Sequence, residues 1–192
     1  MTYILAEIAS AHMGDPDLCL ELIQKAKEAG ADGVKVQVWY PDEGDFSHML
    51  DKRMTKLQHE YYLKNARGVE VWGQYYGDRS LAVAAEYCLK TINGWDKPGF
   101  IGRQLYPTPI SVLGLDRLRL STYDSYADHS ASFTDAVTAS MMAISLGAKT
   151  IEKHICLDRE ELKKKSKDWC SALEPDEFKQ FVNDIRRYEK AL

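Results

Sequence analysis

The stretch AISLGAKTIEKHICLDR, residues 143–159, holds a complete helix-to-strand transition. A helical apolar pattern over 133–146 stops at Gly147, the residue type that most readily ends a helix. KTIEKHI then reads as a short β-branched strand. Within it Glu152 and His154 are spaced i, i+2, so in an extended chain both side chains leave one face. Lys153 alternates to the opposite face, where it reads as a structural residue carrying its ammonium out to water. Just upstream, YADHS at 126–130 sets Asp128 and His129 at the end of the preceding strand. A carboxylate and two imidazoles at neighbouring strand ends suit a metal or a polar small substrate and do little for a core.

Outward from this segment the chain alternates strand and helix. YILAEIA at 3–9 is an apolar run suited to a buried strand. Asp15 is an N-cap, Pro16 sits at the first helical position, and Leu18, Leu22, Ile23, Ala26 and Ala29 recur at helical spacing until Gly30. GVKVQVW at 33–39 and VEVWGQYY at 69–76 read as strands. Between them lie a loop at 41–50 and a polar helix over 51–66, with Met54, Leu57, Tyr61 and Tyr62 as its inner stripe. Ser80 starts a helix to about residue 90. INGWDKPGFIGRQ reads as loop followed by a weak strand at 99–105, YPTP at 106–109 as a turn, and 110–120 as a short helix. Pro175 opens the last helix, with Phe178, Phe181, Val182, Ile185 and Leu192 on one face.

Strands alternating with helices of this length predict a parallel sheet. No GxGxxG or GxxxxGK[ST] loop follows the first strand, which disfavours the nucleotide-binding doubly wound folds. Polar residues gather instead at strand ends: Glu7, Lys35, Gln37, His129, Glu152 and His154. In a (β/α) barrel the site lies at the C-terminal ends of the strands, each contributing one or two groups. The predicted fold is therefore α/β, a parallel (β/α) barrel of the TIM type, shortened to about six strands, open or closed, in a single domain spanning 1–192. A full barrel takes about 250 residues, against 192 here. An open parallel sheet exposes an edge, which predicts a homo-oligomer.

Composition excludes several classes. With 45% hydrophobic and 28% charged residues and a net charge of −4, the chain is ordinary globular material. Its interspersed charges show no nucleic-acid stripe or membrane patch. The basic run Lys163, Lys164, Lys165 and Lys167 is flanked by acidic residues and reads as a solvated face, with an anion-binding lid as the alternative. Cys19, Cys88, Cys156 and Cys170 form no CxxC pair or zinc spacing, so they read as reduced thiols, mostly in the core. No basic leader is seen, and no apolar run approaches the roughly 20 residues that span a bilayer. The expected compartment is the cytoplasm.

At these residues the chain resembles the sialic acid synthase family, the N-acetylneuraminate synthase group with its legionaminate and pseudaminate relatives. The matching pieces are YILAEIASAHMGD at 3–15, ELIQKAKEAGADGVKVQ at 21–37, LYPTP at 105–109 and YADHS at 126–130. AISLGAKTIEKHICLDR at 143–159 and SALEPDEFKQFVNDIR at 171–186 complete the series. The resemblance implies a metal-dependent condensation of phosphoenolpyruvate with an N-acetylated hexosamine that releases phosphate. It implies His129 and His154 as ligands of a divalent ion, manganese foremost, which polarises the open-chain aldehyde as a Lewis acid. Glu7 and Glu152 match family glutamates at the reacting carbons and the sugar, a catalytic role open to a carboxylate whose pKa burial raises. Lys35 matches the lysine that holds the phosphoenolpyruvate anion. Tyr106, His12 and Asp128 match substrate-side positions of the pocket.

The departures are specific. Two strand–helix units of that family, with a KIxSG-type and an STGM-type segment that help bind phosphoenolpyruvate, have no counterpart here. Ala127 stands for a serine, Ala11 for an asparagine, and SKDW at 166–169 for GPDH, keeping Asp168 but placing Trp169 where the family has histidine. The 192 residues do not include the family's C-terminal antifreeze-like domain. The metal and sugar side is kept and much of the phosphate cradle is lost. Beside the synthase stand two alternatives: a trimmed relative that binds a sugar or metal without turnover, and a structural partner of a full-length synthase.

Other polar residues have plainer readings. Lys35 reads equally as an internal ion pair with Glu7 or Glu152. His48 and His59 read as surface residues, Trp72, Tyr75 and Tyr76 as core or pocket wall, and Trp169 as either a lid or a packed aromatic.

Overall fold

The first strand forms where the sequence offers seven consecutive residues with little to solvate. β1 spans Tyr3–Ala9 and is buried from Ile4 onward. The computed structural model describes residues 1–37, 65, 70–75, 90–93 and 125–192. Asp15 caps α1 (Pro16–Glu28), its carboxylate accepting from the backbone N–H groups of Asp17 and Leu18, and Cys19, Leu22, Ile23 and Ala26 form the buried face. Gly30 follows at φ +93°, a conformation open to glycine at little steric cost. β2 (Gly33–Gln37), β3 (Glu70–Tyr75), β4 (Lys90–Asn93) and β5 (Ser125–Asp128) come next. Ser132 caps α2 (Phe133–Ser145), which leads through Gly147 to β6 (Thr150–His154). A short α3 (Arg159–Lys163) and a 3₁₀ turn (Lys167–Cys170) precede α4 (Pro175–Glu189).

All strand pairs are parallel, in the order β4-β3-β2-β1-β6-β5. Consecutive strands are neighbours except β4 and β5, and the last strand returns to the first. It is the connectivity of a (β/α) barrel. Among the described residues one junction is not made, that between β4 and β5, whose connecting residues 94–124 lie outside them.

The two faces of the sheet have different chemistry. Ile4, Ile8, Val34, Val36, Tyr126 and Ile151 point outward into a core completed by α1, α2 and α4, with Phe178, Phe181, Val182 and Ile185 from α4 fully or almost fully buried. The inner face carries Glu7, Lys35, Glu152 and His154 near its C-terminal edge. Strand alternation makes this separation: Glu7 is opposite Lys35 on one side and His154 on the other, while Leu5 is opposite Glu152.

Several expectations need correction. The segment expected to run from a helix ending near 90 into a loop holds strand β4 at Lys90–Asn93. Its two favourable β-formers, Thr91 and Ile92, are too short a run to outweigh the Gly- and Pro-rich residues that follow. Leu192 is not on the buried face of α4, for it is 76% exposed beyond the helix end. Lys153 does not reach water: it is fully buried in an ion pair. Of the expected helix at 51–66 only Asn65 is described, and it is helical. The expected helix at 80–90, apart from Lys90 in β4, and the helix at 110–120, the strand at 99–105 and the turn at 106–109 lie outside the described residues. So do His48, His59, Tyr76, Cys88 and Tyr106. Cys19 and Cys156 are buried, Cys170 is half-buried, and all three are free thiols. Among the described residues no helix is long and apolar enough to cross a membrane.

Candidate functional site

Four strand ends converge on one polar group. The Lys35 ammonium lies between the carboxylates of Glu7 and Glu152, in salt bridges to both, the one to Glu152 Oε1 at 2.7 Å. All three side chains are almost wholly buried. Charges removed from water are tolerated only when they are paired and hydrogen-bonded, and here one cation serves two anions. Each carboxylate keeps one buried oxygen, Glu7 Oε1 and Glu152 Oε2, with no hydrogen-bond partner among the described residues. Both are acceptors with room for a further donor.

The imidazoles meet beside this trio. His129 follows β5 and His154 ends β6, and their Nε2 atoms are 3.2 Å apart. The rings stand edge to face, with centroids 5.0 Å apart and planes at 66°. Two nitrogens bound to one divalent ion at about 2.0–2.1 Å each lie roughly 3.0–3.4 Å from one another. The observed separation falls in that range, and it is also that of a hydrogen bond from one ring to the other. Among the described residues no three His, Cys, Asp or Glu side chains converge on a point. The donor set fits an ion that keeps much of its coordination shell open.

Burial pushes the His154 imidazole down to about 4, helped by the Lys35 and Lys153 charges and opposed by Asp168. Burial likewise pushes His129 down to about 3, with His154 the next contributor. Both rings are neutral at pH 7, the form that ligates a metal. Burial raises the Asp168 carboxyl, but His154 and the hydroxyls of Ser10 and Ser166 outweigh it and hold it below the usual carboxylate range. Ser10 Oγ donates to Asp168 Oδ2 at 2.7 Å, and Ser166 Oγ does so at 3.0 Å.

These directions fix an acid sensitivity. Between pH 6.5 and about 4 the unfolded chain takes up protons on both histidines while the folded chain does not, so stability falls as pH falls. The slope reaches about 1.4 kcal/mol per pH unit for each histidine. Below this window the lowered Asp168 and Asp128 carboxyls continue the loss. Thermal unfolding across this range is expected to be flatter in a His129→Asn/His154→Asn double variant. Equal pH slopes in parent and variant would contradict it.

The turn after β1 follows directly on the strand that carries Glu7. The β1–β2 register shifts between Glu7 and Ala9, and Ala9, Met13 and Gly14 take φ of 45°, 51° and 81°. Positive φ is uncommon in residues with a Cβ, and such strain concentrates at functional sites. His12, buried within this turn, accepts from the Gly14 N–H through Nδ1 at 2.9 Å.

Of the residues expected at the site, Glu7, Lys35, Glu152, His129 and His154 are brought together. Asp128 faces the other way. Its Oδ1 accepts from Tyr126 Oη and Ser130 Oγ, and its Oδ2 from Lys153 Nζ and the Ser130 N–H, at 2.6–3.0 Å. Ser10, Ser166 and Asp168 were not anticipated as members of the site. The position of Asp168 in SKDW was the available signal, but the return of that loop to the β1 end is a tertiary event. Trp169 packs against the core with Lys163 Nζ 4.6 Å from its ring centre. Lys163, Lys164 and Lys165 are exposed, the first two beside Glu160 and Glu161, and form a solvated face.

A parallel α/β sheet of this strand order with charged groups at its C-terminal strand ends defines a protein of the (β/α)-barrel type. Within that class, residues 105–192 match the NeuB family, and the likeness to the sialic acid synthases read from the sequence is borne out. The pseudaminic acid synthase of Campylobacter jejuni is 25% identical over 99% of this chain and 74% of that protein. The human N-acetylneuraminate-9-phosphate synthase is 23% identical over 99% of this chain and 71% of that protein. Both alignments run over 262 positions, well beyond the 192 residues of this chain, so each relative carries internal segments that are absent here. The crystal structure of the N-acetylneuraminic acid synthetase of Leptospira borgpetersenii superposes with a TM-score of 0.83 at 18% identity. That superposition covers 99% of this chain and 84% of the other, and it supports the fold.

Proposed function

We propose that this chain is a metal-dependent synthase that condenses phosphoenolpyruvate with an N-acetylated hexosamine to give a sialic-acid-like sugar acid. One observation carries the reading: two Nε2 atoms 3.2 Å apart beside carboxylates that each hold a buried oxygen with no hydrogen-bond partner among the described residues. A core has no use for that arrangement. The names of the relatives and the match of residues 105–192 support it.

In this reaction the phosphoenolpyruvate methylene carbon bonds to the aldehyde carbon of the open-chain sugar. Water adds at the enol carbon, and phosphate leaves. His129 and His154 would hold a divalent ion, manganese foremost, through their Nε2 atoms, and the ion when bound polarises the aldehyde oxygen. Glu152 Oε2 accepts from sugar hydroxyls, and Glu7 Oε1 exchanges a proton beside the reacting carbons. Lys35 supplies a compact positive charge for the phosphoenolpyruvate anion. By the resemblance, His12 and Tyr106 would serve as substrate-side groups. Asp128 already accepts four hydrogen bonds from protein groups, which leaves it no capacity for substrate.

A second reading, binding without turnover, is favoured by the charge balance. Lys35 already serves two carboxylates, and Lys153 is committed to Asp128 on the opposite face. Phosphoenolpyruvate carries several negative charges, so the described cations are few for it. Incubation with manganese, phosphoenolpyruvate and several N-acetylated hexosamines, followed for phosphate, separates the two. Phosphate release that depends on both the sugar and manganese is expected. Manganese uptake without phosphate release from any sugar would leave the binding reading in its place.

A further inference from the structure

We propose that the buried Lys153–Asp128 ion pair is a positioning device for His129, acting from the face of the sheet opposite the site. His129 is the first residue beyond β5, where the ladder to β6 has just ended at Asp128↔Lys153. Both of its neighbours are held by one cluster of hydrogen bonds. Asp128 accepts from Lys153 Nζ at 2.6 Å and from both the N–H and the hydroxyl of Ser130. Lys153 Nζ also donates to the Ser130 carbonyl at 2.9 Å. The chain on either side of His129 is thus tied to one ammonium, and that ammonium belongs to the residue preceding His154. The clamp couples the two strands that carry the imidazoles.

The cost of this arrangement argues for a use. Lys153 is fully buried and Asp128 is 1% exposed, and an apolar pair of similar volume serves stability as well as a buried ion pair or better. An apolar pair would not direct four hydrogen bonds around one carboxylate. Lys153 and Asp128 touch no reacting atom in this account, and they act through the place they give to His129 Nε2.

The inference rests on the two-imidazole site proposed above, so its test includes a readout that needs no metal. Asp128→Leu/Lys153→Met replaces the pair by apolar side chains, and thermal unfolding checks the fold. Cobalt(II) uptake, followed by its visible absorption, reports the site. The ¹⁵N shifts of the histidine rings in metal-free protein report the Nε2–Nε2 contact directly. The double variant is expected to keep a near-parental Tm, to bind cobalt(II) about 10- to 100-fold more weakly and to show displaced His129 ring shifts. Parental cobalt affinity with parental ring shifts in the folded double variant would overturn the proposal. If the parent takes up no cobalt(II), the metal site fails on its own. The ring shifts then decide the clamp, displaced shifts supporting it and parental shifts overturning it. If the double variant does not fold, Ser130→Ala removes one hydroxyl donor from Asp128 and leaves the pair in place. A displaced His129 resonance is expected there too, and an unmoved one overturns the proposal.

Discussion

Lys35→Met is expected to destabilise the protein by about 3–5 kcal/mol, because it leaves two buried carboxylates facing each other without their cation. For a chain of this size each kcal/mol lowers Tm by roughly 2–4 °C, so the midpoint falls by on the order of 10 °C. The cause is the uncompensated charge rather than the lost side chain. Adding Glu7→Gln and Glu152→Gln to Lys35→Met therefore recovers most of the loss, since amides need no counter-ion. Calorimetric unfolding of the parent, Lys35→Met and the triple variant separates the two causes. A Lys35→Met protein that melts within about 2 °C of the parent would show that the trio is not the closed electrostatic unit described.

The second large effect falls on metal uptake. His154→Ala is expected to reduce manganese or cobalt(II) affinity on the order of 100-fold or more, since loss of a partner one bond further out already costs about 10–100-fold. His129→Ala does the same. In the proposed site both nitrogens face one ion, so the double variant is expected to lose little beyond either single one, the non-additivity of groups sharing a partner. Titration calorimetry on the three variants measures it. Additive losses would mean that the two rings serve different ions, and parental affinity in either single variant would remove that ring from the site.

Much of the fold was legible because local signals and tertiary structure agree. Asp15-Pro16 and Gly30 bound α1, Pro175 opens α4, and the β1 run from Tyr3 to Ala9 is the strand expected. β4 was not legible, since two favourable residues cannot outweigh the glycines and proline that follow. Period-two alternation placed Glu152 and His154 on one face and Lys153 on the other, and this is what the sheet does. It could not tell that Asp128 waits opposite Lys153, because that depends on strand register between segments 25 residues apart. Lys35 was readable as an ion-pair partner, but its pairing with both glutamates at once needed β2 and β6 to flank β1. Ser10 and Asp168 stayed hidden for a similar reason, since a loop returning over a strand end leaves no periodic trace in the sequence.

The proposed function requires two ring nitrogens facing a single cation at the strand ends. Pulsed EPR of the manganese-loaded protein carrying ¹⁵N-labelled histidine measures this directly. Hyperfine coupling from two imidazole nitrogens is expected, reduced to one in either His129→Ala or His154→Ala. Manganese coupled only to water protons, with no nitrogen signal, would contradict it.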